Sequence, residues 1–379
     1  MFAEYIWLDG ALPSQQLRSK ARYIPAKNAD KVKLDVFPEW NFDGSSTYQS
    51  SGDKSDLLLK PVSYFSDPIR GKGNYLVLCE VCTADGQPHA SNTRAQLRKI
   101  LELGGEKLDP WLGFEQEYTL FMRQRPLGWP EKGFPKPQGP FYCGVGSEVV
   151  FGRELVEDHA KACVEAGLAL YGINGEVMPA QWEFQVGYRG VEGEDVGALA
   201  MSDQLWIARW LLHRLSEQYG IDVSLSNKPV SGDWNGAGCH TNFSTNQTRD
   251  SKLGISAIEE AVHLLSLKHA LHIPLYGAGL RARLTGAHET CSIDQFRSGV
   301  ADRGSSIRIP LQVKQRGCGY LEDRRPGANC DPYLVSGRIL ATILNIDECL
   351  FQLGRQQSVG DQVEGNKKPT EIFNSFVAA

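Results

Sequence analysis

The spacing of apolar residues divides the chain into two stretches with different periods. Over roughly the first ninety residues, short apolar runs at 5–8, 57–59 and 75–81 are separated by turn formers such as Asp43-Gly44-Ser45-Ser46 and Asp85-Gly86. No long helical period intervenes, so this stretch predicts strands and loops. After Asn92-Thr93-Arg94 the pattern changes, and residues 94–101 carry helical spacing that stops near Gly104-Gly105. A domain boundary is therefore expected close to residue 90, separating 1–90 from 91–379. Beyond it the spacing predicts helices over 152–168, 198–219, 255–272 and 332–354, the third ending before Pro274. Strands are predicted over 112–122, 181–187 and 238–243. Residues 128–140 and 325–332 read as Pro/Gly-rich loops, and the tail after Gly354 is polar and turn-rich.

One of these strands carries unusual chemistry. Glu115 and Glu117 sit one residue apart inside Trp111-Leu112-Gly113-Phe114-Glu115-Gln116-Glu117-Tyr118-Thr119-Leu120-Phe121. Side chains alternate along a strand, so both carboxylates point one way and Gln116 the other. Like charges on one face repel unless something positive lies beside them. A solvated strand face is the plain reading. The apolar flanks argue for burial instead, and a buried carboxylate needs a partner, for which a hard divalent cation is the simplest choice.

Composition narrows the function classes. The 379 residues are 41% hydrophobic and 22% charged, with net charge −5 and mean hydropathy −0.32. That length suggests two or three domains. No basic run marks a nucleic-acid partner, and no apolar window of about 18 residues predicts a membrane span. The opening Met1-Phe2-Ala3-Glu4-Tyr5 has no basic n-region or small-residue cleavage site, which argues against a signal peptide. Nine cysteines without framework spacing read as reduced thiols in a cytoplasmic protein. Cys79 and Cys82 form a C-x-x-C on a predicted strand, where residues three apart face opposite ways. No phosphate-binding P-loop, dinucleotide fingerprint or nucleophile elbow is present, and His288-Glu289 does not continue into a zincin motif.

Further segments join charged or amide residues to apolar or glycine-rich flanks. Glu176 and Glu183 bracket a proline turn, with Glu183 between Trp182 and Phe184. Glycines 236 and 238 in Asn235-Gly236-Ala237-Gly238-Cys239-His240 permit close backbone approach to a ligand, ahead of His240 on a strand. His269 and His272 lie on an apolar helix without acidic neighbours in sequence and read as packing. Arg283, Arg303, Arg308 and Arg324 supply forks for carboxylate or phosphate, and Glu322 stands beside Arg324. Metal-bound phosphates flanked by arginines are what phosphoryl transfer requires. The residues alone therefore suggest a metal-dependent enzyme handling ATP and an acidic substrate, without saying which substrate.

The stretches Trp40-Asn41-Phe42-Asp43-Gly44-Ser45-Ser46-Thr47, Phe114-Glu115-Gln116-Glu117-Tyr118-Thr119-Leu120, Asn235–Asn242 and Glu322-Asp323-Arg324-Arg325-Pro326 closely resemble the signatures of the type II, eukaryotic-like glutamine synthetase family. The likeness runs from Tyr5 to Asp347 in the family's order. It implies an α+β fold: an N-terminal β-grasp domain, then a catalytic domain of the glutamine synthetase/guanido kinase-like kind, with a curved antiparallel sheet backed by helices. It implies ligation of ammonium to L-glutamate with ATP, through γ-glutamyl phosphate. Glu117, Glu176 and Glu183 match the ligands of one divalent metal, and Glu115, His240 and Glu322 those of a second, with two or three Mg²⁺ or Mn²⁺ ions per site. Arg283 and the Asn235-Gly236 segment match the glutamate contacts, joined by Arg303 and Arg324. Arg303, Arg308 and Arg324 match the residues that neutralise phosphate. Asp43 matches the residue that takes a proton from ammonium, reaching into the neighbouring subunit, and Glu289 the flap residue that closes the site. Trp111, Asn242, Ser244 and Tyr320 lie where the family builds its nucleotide pocket. A homodecamer of two pentameric rings is also implied.

The chain departs from the family at Ala287, where a larger residue usually precedes His-Glu, and at Leu311, where a basic residue is common. Tyr188-Arg189 replaces a proline-containing turn, and the last thirty residues or so match no family pattern. Two other readings stand beside the ligase: a related enzyme joining glutamate to a larger amine, and a non-catalytic structural homologue.

Overall fold

The computed structural model describes residues 1–25 and 32–346. Strands β1 (Phe2–Leu8), β2 (Leu17–Tyr23), β3 (Trp40–Asp43), β4 (Asp56–Ser66) and β5 (Tyr75–Cys82) form a first sheet in the order β2-β1-β5-β4-β3. The central β1–β5 pair is parallel and the remaining pairs antiparallel. Alternation sorts its side chains into two cores. Ala3, Tyr5, Trp7, Val77, Cys79 and Val81 pack with Phe42, Leu57 and Leu59 on one side. Ile6, Leu76 and Leu78 pack on the other, against the rest of the molecule. Cys79 belongs to the first of these faces and Cys82, three residues on, to the reverse, as the strand period requires.

Helix α1 (Thr93–Glu102) follows, its N-terminus capped by Asn92, whose side chain accepts from Ala95 N. Next come β6 (Trp111–Met122), β7 (Arg125–Pro126), α2 (Arg153–Glu165), β8 (Leu170–Gly175), β9 (Gln181–Val186), α3 (Ala198–Tyr219), β10 (Asp222–Ser224) and β11 (Cys239–Ser244). The remainder is α4 (Asn246–Arg249), α5 (Gly254–Leu267), α6 (His269–His272), α7 (Leu280–Arg283), β12 (Ser298–Val300), β13 (Ile307–Ile309), α8 (Leu311–Arg316), β14 (Leu321–Asp323) and α9 (Pro332–Leu344). The second sheet runs β12-β13-β14-β11-β6-β9-β8, with β7 and β10 also paired to the long β6. It is antiparallel except for the β12–β13 pair, which is parallel. One face of this curved sheet presents Phe114, Tyr118, Trp182, Phe184, Phe243 and Leu321 to Leu205 and Leu212 of α3 and to Val335 and Ile339 of α9.

Two predicted helices end differently from their spacing. Residues 255–272 form not one helix but α5 and α6, because Lys268 leaves helical geometry (φ −105, ψ 13). A tight turn over Ile273–Leu275 then accepts Pro274 near its start, where a missing N–H costs nothing. Helix α9 stops at Leu344 because Asn345 adopts a left-handed cap (φ 52, ψ 42). The predicted helical residues beyond 346, and the tail, lie outside the described residues.

The first sheet is tied to the helices by charge as well as by apolar contact. Glu80, on the inner face of β5, accepts from Arg94 Nη1 at 2.8 Å and Arg98 Nη2 at 3.0 Å. Arg94 also grips Asp203 of α3 through Nε at 2.9 Å and Nη2 at 3.0 Å. Both acids are nearly inaccessible, their side chains 4% exposed. Removing the shared guanidinium would leave buried Asp203 with no cation, only Tyr333 Oη at 2.6 Å, and Glu80 with Arg98 alone of its two arginines. Arg94→Ala is therefore expected to cost about 3–5 kcal/mol, seen as a lower denaturation midpoint in urea, and Arg94→Lys to recover only part of it because an ammonium cannot span both acids.

Candidate active site

Strand register assembles the site. On β6, Trp111, Gly113, Glu115 and Glu117 share one face, while Leu112, Phe114, Gln116 and Tyr118 take the other. Antiparallel β11 sets His240 opposite Glu115, Asn242 opposite Gly113 and Ser244 opposite Trp111. On the other flank, β9 sets Glu183 opposite Glu117 and Gln185 opposite Glu115, and β8 sets Asn174 opposite Glu183. Strand β14 sets Glu322 opposite Asn242, and β13 sets Arg308 opposite Glu322. Directly opposed residues project to the same side of a sheet. Neighbouring strands thus deliver these acids, the imidazole and Arg308 to one surface, and the reverse surface is the apolar core.

A cavity of about 350 Å³ opens on that surface, walled by Glu115, Glu117, Glu176, Glu183 and Glu289 and by Arg283, Arg303, Arg308 and Arg324. His240 is central to it. Its Nδ1 lies 3.6 Å from Glu115 Oε2 and 3.5 Å from Glu322 Oε1, and its Nε2 lies 3.9 Å from Glu117 Oε1. Burial, helped by the Arg324 guanidinium, pushes the imidazole pKa down to about 3. The ring is therefore neutral and these contacts are not ion pairs; its single nitrogen lone pair lies at Nε2, where a bound cation would have to displace the Arg283 contact. Nε2 accepts from Arg283 Nη2 at 3.0 Å.

Glu176 and Glu183 show the opposite response. Burial and the adjacent Glu117 charge push Glu176 up to about 8. Burial, then Glu115, Glu117 and Glu176, push Glu183 well above the carboxylate range. These groups are crowded beyond what the arginines relieve. Donor atoms of Glu115, His240 and Glu322 lie within 4.8 Å of one another, as do those of Glu117, Glu183 and His240. Carboxylate oxygens with one neutral imidazole form a donor set suited to a hard divalent cation.

Each acid is also aimed. Gly238 N donates to Glu117 Oε2 at 2.7 Å, Asn242 Nδ2 to Glu115 Oε1 at 2.8 Å, Gln185 Nε2 to Glu183 Oε1 at 2.5 Å and Asn174 Nδ2 to Glu176 Oε1 at 3.0 Å. Glu322 accepts from Arg308 Nη1 at 2.5 Å and Arg324 Nη1 at 2.6 Å. A side chain at position 238 would displace the Arg283 guanidinium, since a Cβ there would lie 2.4 Å from Arg283 Nη2.

The residues singled out by sequence divide into groups. Glu115, Glu117, Glu176, Glu183, His240, Asn235, Gly236, Arg283, Glu289, Arg303, Arg308 and Arg324 all line the cavity. Glu322 is buried behind it, against His240. Glu176 shares the cavity with Glu117 and Glu183, yet the tight donor group around those two is completed by His240. Asp43 is elsewhere, on the exposed end of β3. Its carboxylate accepts from Ser45 N at 3.0 Å, Ser45 Oγ at 2.6 Å and Ser46 Oγ at 2.7 Å, and those donors lower its pKa. Trp111, Asn242, Ser244 and Tyr320 also lie off the cavity wall. Trp111 and Ser244 are joined through Arg249, which sits 4.1 Å over the indole and donates to Ser244 Oγ at 2.9 Å. Tyr188 stacks on Trp111 at 4.8 Å, tilted by 52°.

Two family models match the chain, "Glutamine synthetase, beta-Grasp domain" over residues 1–84 and "Glutamine synthetase, catalytic domain" over residues 90–261. The chain belongs to the glutamine synthetase family. Curated glutamine synthetases are similar over nearly the whole length. The chloroplastic enzyme of Chlamydomonas reinhardtii is 52% identical over 91% of this chain and 90% of its own. The one from Streptomyces viridochromogenes is 51% identical over 94% of this chain and 99% of its own. Among solved structures, the cryoEM glutamine synthetase of Plasmodium falciparum shares the fold, with a TM-score of 0.71 at 17% identity over 91% of this chain and 71% of that one.

Some glutamine synthetase cavity residues escaped the sequence reading. Gln185 and Asn174 were accessible in principle, because each shares a strand face with an acid. Tyr142 and Thr290 come from irregular segments where no period assigns a direction. His269 and His272, isolated from acids in sequence, are not so in space. Arg325 Nη1 bonds His269 Nδ1 at 3.1 Å and Arg325 Nη2 bonds Asp323 Oδ2 at 2.7 Å, while His272 Nδ1 meets Tyr276 Oη at 2.6 Å. They belong to a buried polar network on the reverse side of β14.

The crowding of carboxylates has a consequence for stability. Folded Glu176 holds its proton more tightly than an ordinary glutamate at 4.5, so metal-free protein loses stability as pH rises from 4.5 through about 8. In chelator, Glu176→Gln is expected to match wild type near pH 4 and to exceed it by roughly 2 kcal/mol or more near pH 8. Excess Mn²⁺ reverses the order, because the variant has lost a crowded ligand. Thermal denaturation at the two pH values, with and without metal, checks both statements.

Proposed function

We propose that the chain joins ammonia to L-glutamate at the expense of ATP, forming L-glutamine, ADP and phosphate through γ-glutamyl phosphate. The carrying observation is the convergence of crowded carboxylates and arginines on one cavity of a glutamine synthetase fold. Activation is required because a free carboxylate is a poor acyl donor to an amine.

In this reading, Arg283 and the Asn235–Gly236 segment hold glutamate and present its γ-carboxylate to the terminal phosphate of ATP. Arg303, Arg308 and Arg324 offset the charge that gathers on the transferring phosphoryl group. Glu117, Glu176 and Glu183 would hold one Mg²⁺ or Mn²⁺, and Glu115, His240 and Glu322 another, with a third ion possible by the family's pattern. Such ions, when bound, neutralise phosphate oxygens and so lower the barrier to their transfer. Trp111, Asn242, Ser244 and Tyr320 are assigned to the nucleotide, a reading supported by the aromatic surface of Trp111 next to Arg249. Glu289 covers the acyl phosphate and excludes water.

Asp43 is assigned the proton from ammonium. It stands exposed and away from the cavity of its own chain, which fits a role in the site of a neighbouring subunit. A decamer of two pentameric rings is the proposed assembly, with residues 1–90 as the β-grasp domain and 91–379 carrying the ligand sites. The described cysteines are free thiols, in keeping with the cytoplasm as the proposed compartment, and no helix among the described residues is long and apolar enough to cross a membrane. The amine-ligase and non-catalytic readings are not favoured, since curated relatives at 51–52% identity are glutamine synthetases.

Purified protein given ATP, Mg²⁺, glutamate and ammonium is expected to form glutamine and ADP in equal amounts. Glu117→Ala should abolish turnover, a loss of about a thousandfold or more. Asp43→Ala should impair use of ammonium while leaving nucleotide binding, followed by calorimetry, intact. Wild-type rates in both variants would remove the mechanism.

A further inference from the structure

Gln138 has no part in the reaction as described, yet its carboxamide occupies a junction between two segments that do. Its Nε2 donates to Asn235 Oδ1 at 2.9 Å, and its Oε1 accepts from Asn235 N at 2.9 Å. The same Nε2 meets His288 Nδ1 at 3.2 Å. Asn235 belongs to the segment assigned to glutamate, and His288 precedes Glu289 on the segment that covers the site. One side chain from the 128–140 loop therefore touches both.

Within the flap, Thr290 donates to Ala287 O at 2.7 Å through Oγ1 and at 3.2 Å through N, but neither contact holds the His288 ring. Gly286, His288 and Glu289 all have positive φ, at 87, 51 and 57. His288 and Glu289 are consecutive non-glycine residues in the left-handed region, a conformation that surrounding contacts must impose. His288 Nε2 also meets Asp233 Oδ1 at 2.8 Å, but that carboxylate is 99% exposed and contributes little through solvent. Arg324 Nη2 reaches Glu289 O only at 3.4 Å. Gln138 makes the part-buried contact to the ring. The pattern is chemically consistent: Gln138 donates to Nδ1, which leaves the Nε2 proton for Asp233. With its Oδ1 engaged, Asn235 is left to donate to a carboxylate through its Nδ2 amide hydrogens.

We propose that Gln138 is a positioning residue that couples the glutamate-binding Asn235 to the flap bearing Glu289, so that a correctly seated glutamate and a closed flap favour one another. The coupling rests on the amidation reaction proposed above. Its purpose is to protect the acyl phosphate. With the flap loose, a water oxygen bonds to the γ-carbonyl carbon, the carbon–oxygen bond to phosphate breaks, and glutamate and phosphate leave with no glutamine made.

The test uses the full-length enzyme, Gln138→Met (similar in size, without the hydrogen bonds), His288→Ala and the double variant. Glutamate KM is expected to rise about tenfold in Gln138→Met, the loss of one or two hydrogen bonds, with ATP KM and the melting temperature unchanged. ADP released per glutamine is expected to climb above the one-to-one ratio of wild type in both single variants. The double variant should be no leakier than the worse single, because both substitutions break one link. One-to-one coupling with unchanged glutamate KM would overturn the proposal. So would leakage that multiplies in the double variant, or a general loss in which both KM values and the melting temperature move together. Wild-type protein that makes no glutamine at all would overturn the reaction itself, and the coupling with it, and that outcome is read before any variant is measured.

Discussion

Crowded like charge on one face of a sheet is the constraint on which this molecule turns. Glu115, Glu117, Glu176 and Glu183 share one cavity, and burial together with the neighbouring charges makes Glu176 and Glu183 hold their protons. No strand pairing would bring such groups together for stability alone. The arrangement persists because the opposite face of the same strands is a largely apolar core, whose burial outweighs the repulsion. A one-residue slip of β6 would bury Glu115 and Glu117 in that core, so register is held by the same alternation that creates the crowding.

Polar locks beneath the sheet reinforce it. Gln116, between the two glutamates but facing inward, accepts from Arg209 Nε at 2.8 Å and donates to Ala328 O at 3.0 Å. Arg209 in turn donates to Cys330 O at 2.8 Å. Asp323, facing inward beside Glu322, is held by Arg325 and by Tyr276 Oη at 2.8 Å. Each of these outward-facing acids on β6 and β14 thus has an inward neighbour that is fully bonded, which fixes the strand and hence the direction of the acid. Buried networks of this kind are costly when incomplete and rigidifying when satisfied.

The sheet supplies only part of the cavity wall. The walls that complete the cavity come from irregular segments: Tyr142 from the long connection after β7, Asn235 and Gly236 ahead of β11, and His288, Glu289 and Thr290 after α7. Those segments hold one another through side-chain amides rather than through a backbone ladder. Substrates need such parts to move, and a few hydrogen bonds can be exchanged where a sheet cannot.

Much of this was already legible in the chain. The period-two run around Glu115 placed both carboxylates on one face of β6, the apolar spacing located α3 at Ala198–Tyr219, and the Asn235–Asn242 and Glu322–Pro326 segments carried the family likeness. Local period is a local property, so sequence could assign it. What the chain alone left open was which strands lie side by side. Only pairing sets His240 across from Glu115 and Glu183 across from Glu117, turning widely separated residues into one donor group. The break at Lys268 was likewise decided by backbone geometry that propensity does not encode, whereas the stop at Asn345 follows a readable preference of Asn for the left-handed cap. Loop residues such as Gln138 and Tyr142 have no period to read, because their directions come from the partners they meet in the folded molecule.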